Sequence, residues 1–333
     1  MFTFVTIIYD DYYDNELFLL QTKTMNNIDN NIISKIIIIF NTENDESYDN
    51  YKKKFYDEII FNYPDNIQSK VLLIYKKELY IVCGLNNCYS LPKSINPQHT
   101  LNDNYGWHIQ QILKIIVSKI IDTEHYIVLD SKDHFINFTD YSCFFENDTP
   151  IFFQKENIET CNSVKQSIIS SFMYFHNTIK KINDSQVICD FDGNEYLTIK
   201  PITPFVFKTK YVIELIQYIS GSFNISFDLL FLLKDFNEFQ LYYSYLIYSK
   251  KSSEYKIVDV PEFKFWKNSS IPIFFNNDLI DNGKNKIIKC IGVYKDIRFL
   301  FVNEGDDIIV FNFYKNFLND DQIIHIKNLF LHQ

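Results

Sequence analysis

Short continuous apolar runs alternate with stretches of helical period along the first half of this chain. Residues 2–8 (FTFVTII) and 35–40 (KIIIIF) are too short for helices and read as buried strands. Residues 16–25 and 51–62 read as helices, and strands are expected again at 71–75 and 79–82. Residues 85–103, rich in Asn, Pro and Ser, form a loop long enough to be functional. The clearest element follows it. After Gly106, Ile109, Ile112, Leu113, Ile116 and Ile120 recur at helical spacing and leave Gln110, Gln111 and Lys114 on other faces. Tyr126–Leu129 is then a short apolar strand that delivers Asp130 and Asp133 to a loop. This alternation predicts an α/β fold, a parallel or mixed sheet with helices on both faces.

The second half is less regular. A helix is expected at 162–181, strands at 187–189 and 196–207, and helices at 211–220 and 236–249. Short strands and turns follow from Ile271, with a last helix at 320–331. Asp190-Phe191-Asp192 precedes Gly193 and reads as a hairpin turn. No internal repeat and no low-complexity linker interrupts the chain.

Loops beyond the carboxyl ends of strands are where open α/β sheets bind ligands. Acidic side chains there commonly hold a hard divalent cation such as Mg²⁺ or Mn²⁺, which in turn holds phosphate oxygens. Asp130 and Asp133 fit that reading. They fit an ordinary Asp-rich turn equally well.

Composition changes the picture in three ways. The 333 residues are 47% hydrophobic and 17% aromatic, enough for one large domain with a sizeable core. The chain has no alanine and one arginine, Arg298, against abundant Asn, Ile, Lys, Tyr and Phe. That bias points to an A/T-rich genome, such as that of a large virus or a protist, and any phosphate clamp must use Lys, backbone N–H groups or a metal. A net charge of −10 argues against a nucleic-acid partner, which needs a basic face. Lys52–Lys54 lies beside an acidic loop, Glu43–Asp49, and reads as solvated surface.

The six cysteines show no CxxC pair and are expected to be reduced, although Cys83 and Cys88 are close enough in sequence to bridge. The start MFTFVTIIYDD lacks a basic n-region and reads as a first strand, not a signal peptide. The longest apolar runs are far shorter than a membrane span. A cytoplasmic location is the expectation.

Four segments in order carry a resemblance. They are FVTIIYDDYYDNELFLLQTKTM at the amino terminus, GW-x-x-QQ-x-x-K followed by a strand ending in LD with acidic loop residues, TPFVFKTKYVIELI from Thr203 to Ile216, and DFNEFQLYYSYL from Asp235 to Leu246. Together they resemble a group of bacterial and viral glycosyltransferases of the GT-A fold, over most of residues 1 to 300. The resemblance implies a Rossmann-type mixed, mostly parallel sheet in a single domain, 1–333. Residues 1–150 would be a nucleotide-sugar-binding half and 151–333 an acceptor-binding half. It also implies transfer of a sugar from a nucleotide-sugar donor to the hydroxyl of a glycan or other acceptor, with Mn²⁺ or Mg²⁺ assisting.

Site residues follow from the same resemblance. Thr6, Ile8, Tyr9 and Asp10 would lie at the nucleotide, with Tyr9 or Tyr12 stacking on a pyrimidine. Trp107, Gln110, Gln111 and Lys114 complete the donor set. Asp130 and Asp133 would hold the metal. Relatives have Asp-x-Asp where this chain has Asp130-Ser131-Lys132-Asp133, so either Asp133 takes the second ligand place or Lys132 meets the diphosphate directly. Glu238, with Asp235 beside it, would be the general base of a one-step inverting reaction, since a carboxylate in a helix's first turn is stabilised as an anion. An ordinary helix-capping acid is the alternative for Glu238.

His108 reads as a surface or packing residue. Relatives carry His-Arg where this chain has Tyr294-Lys295, and that departure leaves a second class open, a catalytically degenerate binding protein. A metal-dependent nucleotidyl or phosphoryl transferase is a third, disfavoured by the acidic charge and the lack of a Gly-rich phosphate loop.

Overall fold

Burial on both faces explains the strands. In β1 (Phe2–Tyr9) every residue from Phe2 to Ile8 is buried, and Ile36–Phe40 of β2 (Ile33–Asn41) is buried likewise. Continuous apolar runs of this kind belong to strands covered on both sides, and β1 and β2 pair in parallel with Phe4 opposite Ile36 and Ile8 opposite Phe40. A computed structural model describes residues 1–10, 12–85, 105–131, 133–135, 139–153, 162–182, 185–199, 201, 203–223, 226–258 and 310–311.

Between the strands lies α1 (Tyr12–Thr24), which starts four residues before the expected position. After β2, α2 (Asp45–Asp57) begins well before the expected residue 51. The Asn44 side chain accepts the N–H groups of Glu46 and Ser47, and Asp45 and Glu46 favour the positive end of the helix dipole. The acidic stretch read as a loop is therefore the first turn of a helix. A single turn, α3 (Asp65–Gln68), leads into β3 (Val71–Tyr75).

The expected strand at 79–82 is instead part of α4 (Lys76–Val82). Glu78 reaches back to the N–H of Tyr75 at 3.1 Å, and two consecutive residues are buried (Leu79, Tyr80) before two exposed ones (Ile81, Val82). Four apolar residues cannot separate strand from helix by period alone, and here the capping acid decides.

The helix read with most support forms α5 (Tyr105–Ile116), followed by a 3₁₀ turn and by β4 (His125–Asp130). Two short strands come next, β5 (His134–Phe135) and β6 (Phe145–Glu146), then β7 (Thr149–Phe153) and α6 (Asn162–Tyr174). The expected helix to 181 stops at α6, because His176 turns with φ +62° and the chain returns as β8 (Thr178–Ile182), antiparallel to β9 (Ser185–Cys189).

Gly193, at φ +86°, makes the expected hairpin into β10 (Glu195–Leu197). The expected strand 196–207 divides there. Pro201 and Pro204 separate β10 from β11 (Phe205–Lys208), which pairs antiparallel with β4. The helices α7 (Thr209–Phe223), α8 (Phe227–Lys234) and α9 (Glu238–Tyr248) follow, of which α8 was not anticipated. The last described strands are β12 (Lys256–Val258) and β13 (Val310–Phe311). Loop residues 86–103, the expected strands beyond 271, the Tyr294-Lys295 pair and the helix at 320–331 lie outside the described residues.

The fold is mixed α/β with a mostly parallel central sheet flanked by helices. Two compact units divide it. One holds Met1–Leu73 and Leu129–Phe145 with β13; the other holds Ile74–Val128 and Glu146–Val260. In the second unit α9 is buried all round, from Glu238 to Ile247. Two of its polar side chains bond to neighbouring elements: Gln240 donates to the carbonyl of Ile199 at 2.9 Å and Ser244 meets Asn177 at 2.9 Å. Among the described residues no single helix is long and apolar enough to cross a membrane.

Candidate functional site

Spacing of three along α5 places His108, Gln111 and Lys114 in one stripe. All three are buried, with Lys114 only 4% exposed. The same spacing separates Asp235, at the end of α8, from Glu238, at the start of α9. The two sets meet in register. His108 Nε2 lies 2.8 Å from Asp235 Oδ1, Gln111 Oε1 accepts the backbone N–H of Glu238 at 3.2 Å, and Lys114 Nζ lies 3.2 Å from Glu238 Oε1.

Lys114 also sits over the ring of Phe239 at 5.1 Å, and its carbonyl accepts from the Tyr126 hydroxyl at 2.9 Å. Burial pushes the Tyr126 phenol well above its ordinary range, which keeps it a neutral donor. Sequence reasoning set these polar residues outside the apolar face. They are inside because complementary polar groups arrive from α8 and α9.

Two helices set the carboxylates. Asp235 ends α8 in the left-handed region (φ 52°), a conformation Asp tolerates because its short side chain bonds locally. The cap of α9 is Asn237, whose side chain accepts from Gln240 N, so Glu238 is not the capping residue. Glu238 is 2% exposed, whereas the Asp235 side chain keeps 19% of its surface in water. Of the two acids named from the sequence, Asp235 is the reachable one. Trp107 stands in the first turn of α5 with 37% exposure, and Gln110 is half-buried. His108, read as a packing residue, is the partner of Asp235. Nothing in its spacing alone announced that.

The first unit holds a second polar network at the carboxyl ends of β1 and β4. Gln21 of α1 is its hub, and sequence reasoning did not name it. Its Oε1 accepts from the Thr6 hydroxyl at 2.9 Å, and its Nε2 donates to the carbonyls of Asp130 at 2.6 Å and Asp133 at 2.9 Å. Asp14 accepts from Tyr9 N at 2.7 Å and from the Ser131 hydroxyl. Asp10 is exposed and accepts from Ser47.

Burial, and then the negative charges of Asp14 and Asp10, push the Tyr51 phenol far up. Ile8 is completely buried opposite Phe40, so its expected place at a nucleotide base is not an exposed one. Lys132 lies outside the described residues, as does the Tyr12 side chain.

Asp133 is buried, and its Oδ2 accepts the N–H of Asp130 at 2.8 Å while its own N–H returns to the Asp130 carbonyl at 2.9 Å. A hard divalent cation takes about six oxygen ligands. Here Asp133 faces inward and closes the turn. Among the described residues no group of three or more His, Cys, Asp or Glu could hold a metal ion. Two carboxylates fill at most part of such a shell, which a cation of this kind shares with substrate phosphates and water.

Replacing Gln21 with leucine is expected to cost about 1–3 kcal/mol, the usual penalty for removing one partner of buried hydrogen bonds, here those to Thr6 and to the carbonyls of Asp130 and Asp133. Urea denaturation of the variant measures it; a midpoint within error of the parent removes Gln21 from its place as hub.

Comparison with known proteins adds the following. The model of DUF6492, a family of unknown function, matches residues 31–261. No curated protein matches the chain. Among solved structures, the galactosyltransferase LgtC in complex with donor and acceptor sugar analogs is 11% identical with a TM-score of 0.35, over 69% of this chain and 70% of that one. Mouse xyloside xylosyltransferase 1 is 9% identical with a TM-score of 0.38, over 78% of this chain and 85% of that one. The bifunctional glycosyltransferase WbbM is 11% identical with a TM-score of 0.34, over 78% of this chain and 38% of that one. Likeness at this level carries no inference about chemistry.

Proposed function

The chain belongs to the DUF6492 family, and we propose that it transfers a glycosyl group from a nucleotide sugar to an acceptor hydroxyl. One observation carries this reading. Two of the segments that resemble glycosyltransferases, residues 106–114 and 235–246, are far apart in sequence yet interlock through His108–Asp235, Gln111–Glu238 and Lys114–Glu238. The residues of those motifs serve one another, as parts of a single site do.

In the proposed step the acceptor oxygen attacks the anomeric carbon as its proton passes to the Asp235 carboxylate. The bond from that carbon to the diphosphate oxygen breaks, and the diphosphate leaves with the electron pair. A single displacement of this kind inverts the anomeric centre and needs one base. His108 orients Asp235. The Lys114–Glu238 pair and Gln111 hold the two helices in register, which makes Glu238 a positioning residue in place of the base first inferred. Tyr9, Asp10 and Asp130, at strand carboxyl ends, are the proposed donor side, with Thr6 buried further back in β1.

A second reading is a catalytically degenerate sugar-nucleotide binder. The inward turn of Asp133 and the burial of Glu238 favour it, since both acids are engaged within the fold.

Thermal shift with a panel of nucleoside diphosphates and nucleotide sugars, with and without Mn²⁺, tests the proposal. One nucleoside diphosphate is expected to raise the melting temperature, and Asp130→Asn to remove most of that gain while the unliganded variant melts as the parent does. Protection without slow hydrolysis of the matching nucleotide sugar supports the degenerate reading. No shift with any nucleotide refutes both.

A further inference from the structure

We propose that the exposed indole of Trp107 and the carboxylate of Asp235 together seat a saccharide ring, so that the acceptor is itself a carbohydrate. This rests on the transfer reading above and narrows its acceptor from any hydroxyl compound to a sugar.

Large apolar side chains of α5 are buried: Ile109, Ile112, Leu113 and Ile116 are each at most 2% exposed. Trp107 departs from that pattern with 37% of its surface in water. Its ring is held edge-on to the His108 imidazole, with centroids 4.9 Å apart and planes at 80°. The same imidazole meets Asp235 at 2.8 Å and is itself only 8% exposed. The His108 ring thus lies beside both the exposed indole and a carboxylate that stays partly in water.

That combination fits the two-sided chemistry of a pyranose. A sugar ring offers a face of C–H groups to an aromatic surface and hydroxyls at its rim to an anion. Sites of this kind pair an apolar surface with a few fixed polar groups. A nucleobase would also stack on the indole, but its diphosphate would bring negative charge towards Asp235. The buried cation nearest in the stripe, Lys114, is already paired with Glu238. A lipid acceptor would need a broader apolar surface than one indole.

The experiment uses Trp107 emission in full-length protein carrying Trp266→Phe, which removes the second of the two tryptophans. Methyl glycosides, lactose, maltose and cellobiose are titrated into the millimolar range, followed by UDP and GDP. A saturable change with at least one saccharide, absent for either diphosphate alone, supports the seat. No change with any saccharide, or a change with a diphosphate alone, overturns it.

Where transfer is observed, Trp107→Ala is expected to raise KM for that saccharide by about tenfold or more, with Trp107→Phe restoring most of the loss. An unchanged KM overturns the seat. The titration needs no turnover, so the two readings fail separately. Saccharide binding without transfer leaves the seat and removes the reaction. Donor hydrolysis with no saccharide response removes the seat and leaves the reaction.

Discussion

Lys114→Met is expected to lower stability by about 3–5 kcal/mol, the range for removing one partner of a buried ion pair. Lys114 and Glu238 side chains are 5% and 3% exposed, so neither charge has water to fall back on. Methionine has a stem of similar length but removes the ammonium, and the buried Glu238 carboxylate then loses the cation it faces at 3.2 Å or takes up a proton. Replacing both, as Lys114→Met with Glu238→Met, is expected to recover most of the loss, because the cost lies in the stranded charge rather than in the missing attraction. Urea denaturation should show a lower midpoint for the single variant with an unchanged slope. A single variant as stable as the parent would mean that the pair is solvated and that α5 and α9 are held without it.

The second large effect falls on catalysis. Asp235→Asn is expected to lower the rate of glycosyl transfer by a factor of about 10² to 10⁴, the usual contribution of a general base. Asparagine keeps the shape and still bonds His108, so the fold should persist. Donor affinity should stay near that of the parent, because the proton comes from the acceptor and Asp235 is not among the residues proposed for the donor. Steady-state rates with a donor-binding measurement on one variant separate these effects. A normal rate, or a loss confined to donor affinity, removes Asp235 from the base position.

Much of the frame was legible because burial writes itself as period. β1, β2 and β4 are continuous apolar runs, and α5 carries its stripe of Ile and Leu in the order expected. Failures came where period is ambiguous. Residues 79–82 could be strand or helix until Glu78 is seen to cap Tyr75. The stretch 162–181 looked continuous because a left-handed turn at His176 leaves no compositional mark. The candidate site was half legible. Gln111, Lys114, Asp235 and Glu238 were named from their motifs, but amphipathicity placed the first two outside the core. Only the arrival of α8 and α9 makes a buried lysine and glutamine affordable. His108 and Gln21 were missed for the same reason: a single polar residue on a helix has no period, and its role depends on partners 127 and more than 100 residues away.

Release of a nucleoside diphosphate from a panel of nucleotide sugars, measured with and without saccharide acceptors for the parent and for Asp235→Asn, bears most directly on the central claim. The expected result is release from one donor, accelerated by one class of acceptor, with a glycosylated product by mass spectrometry and loss of acceptor-dependent release in the variant. Folded parent protein that releases no diphosphate from any donor, or that does so equally well with Asn at position 235, would contradict the account.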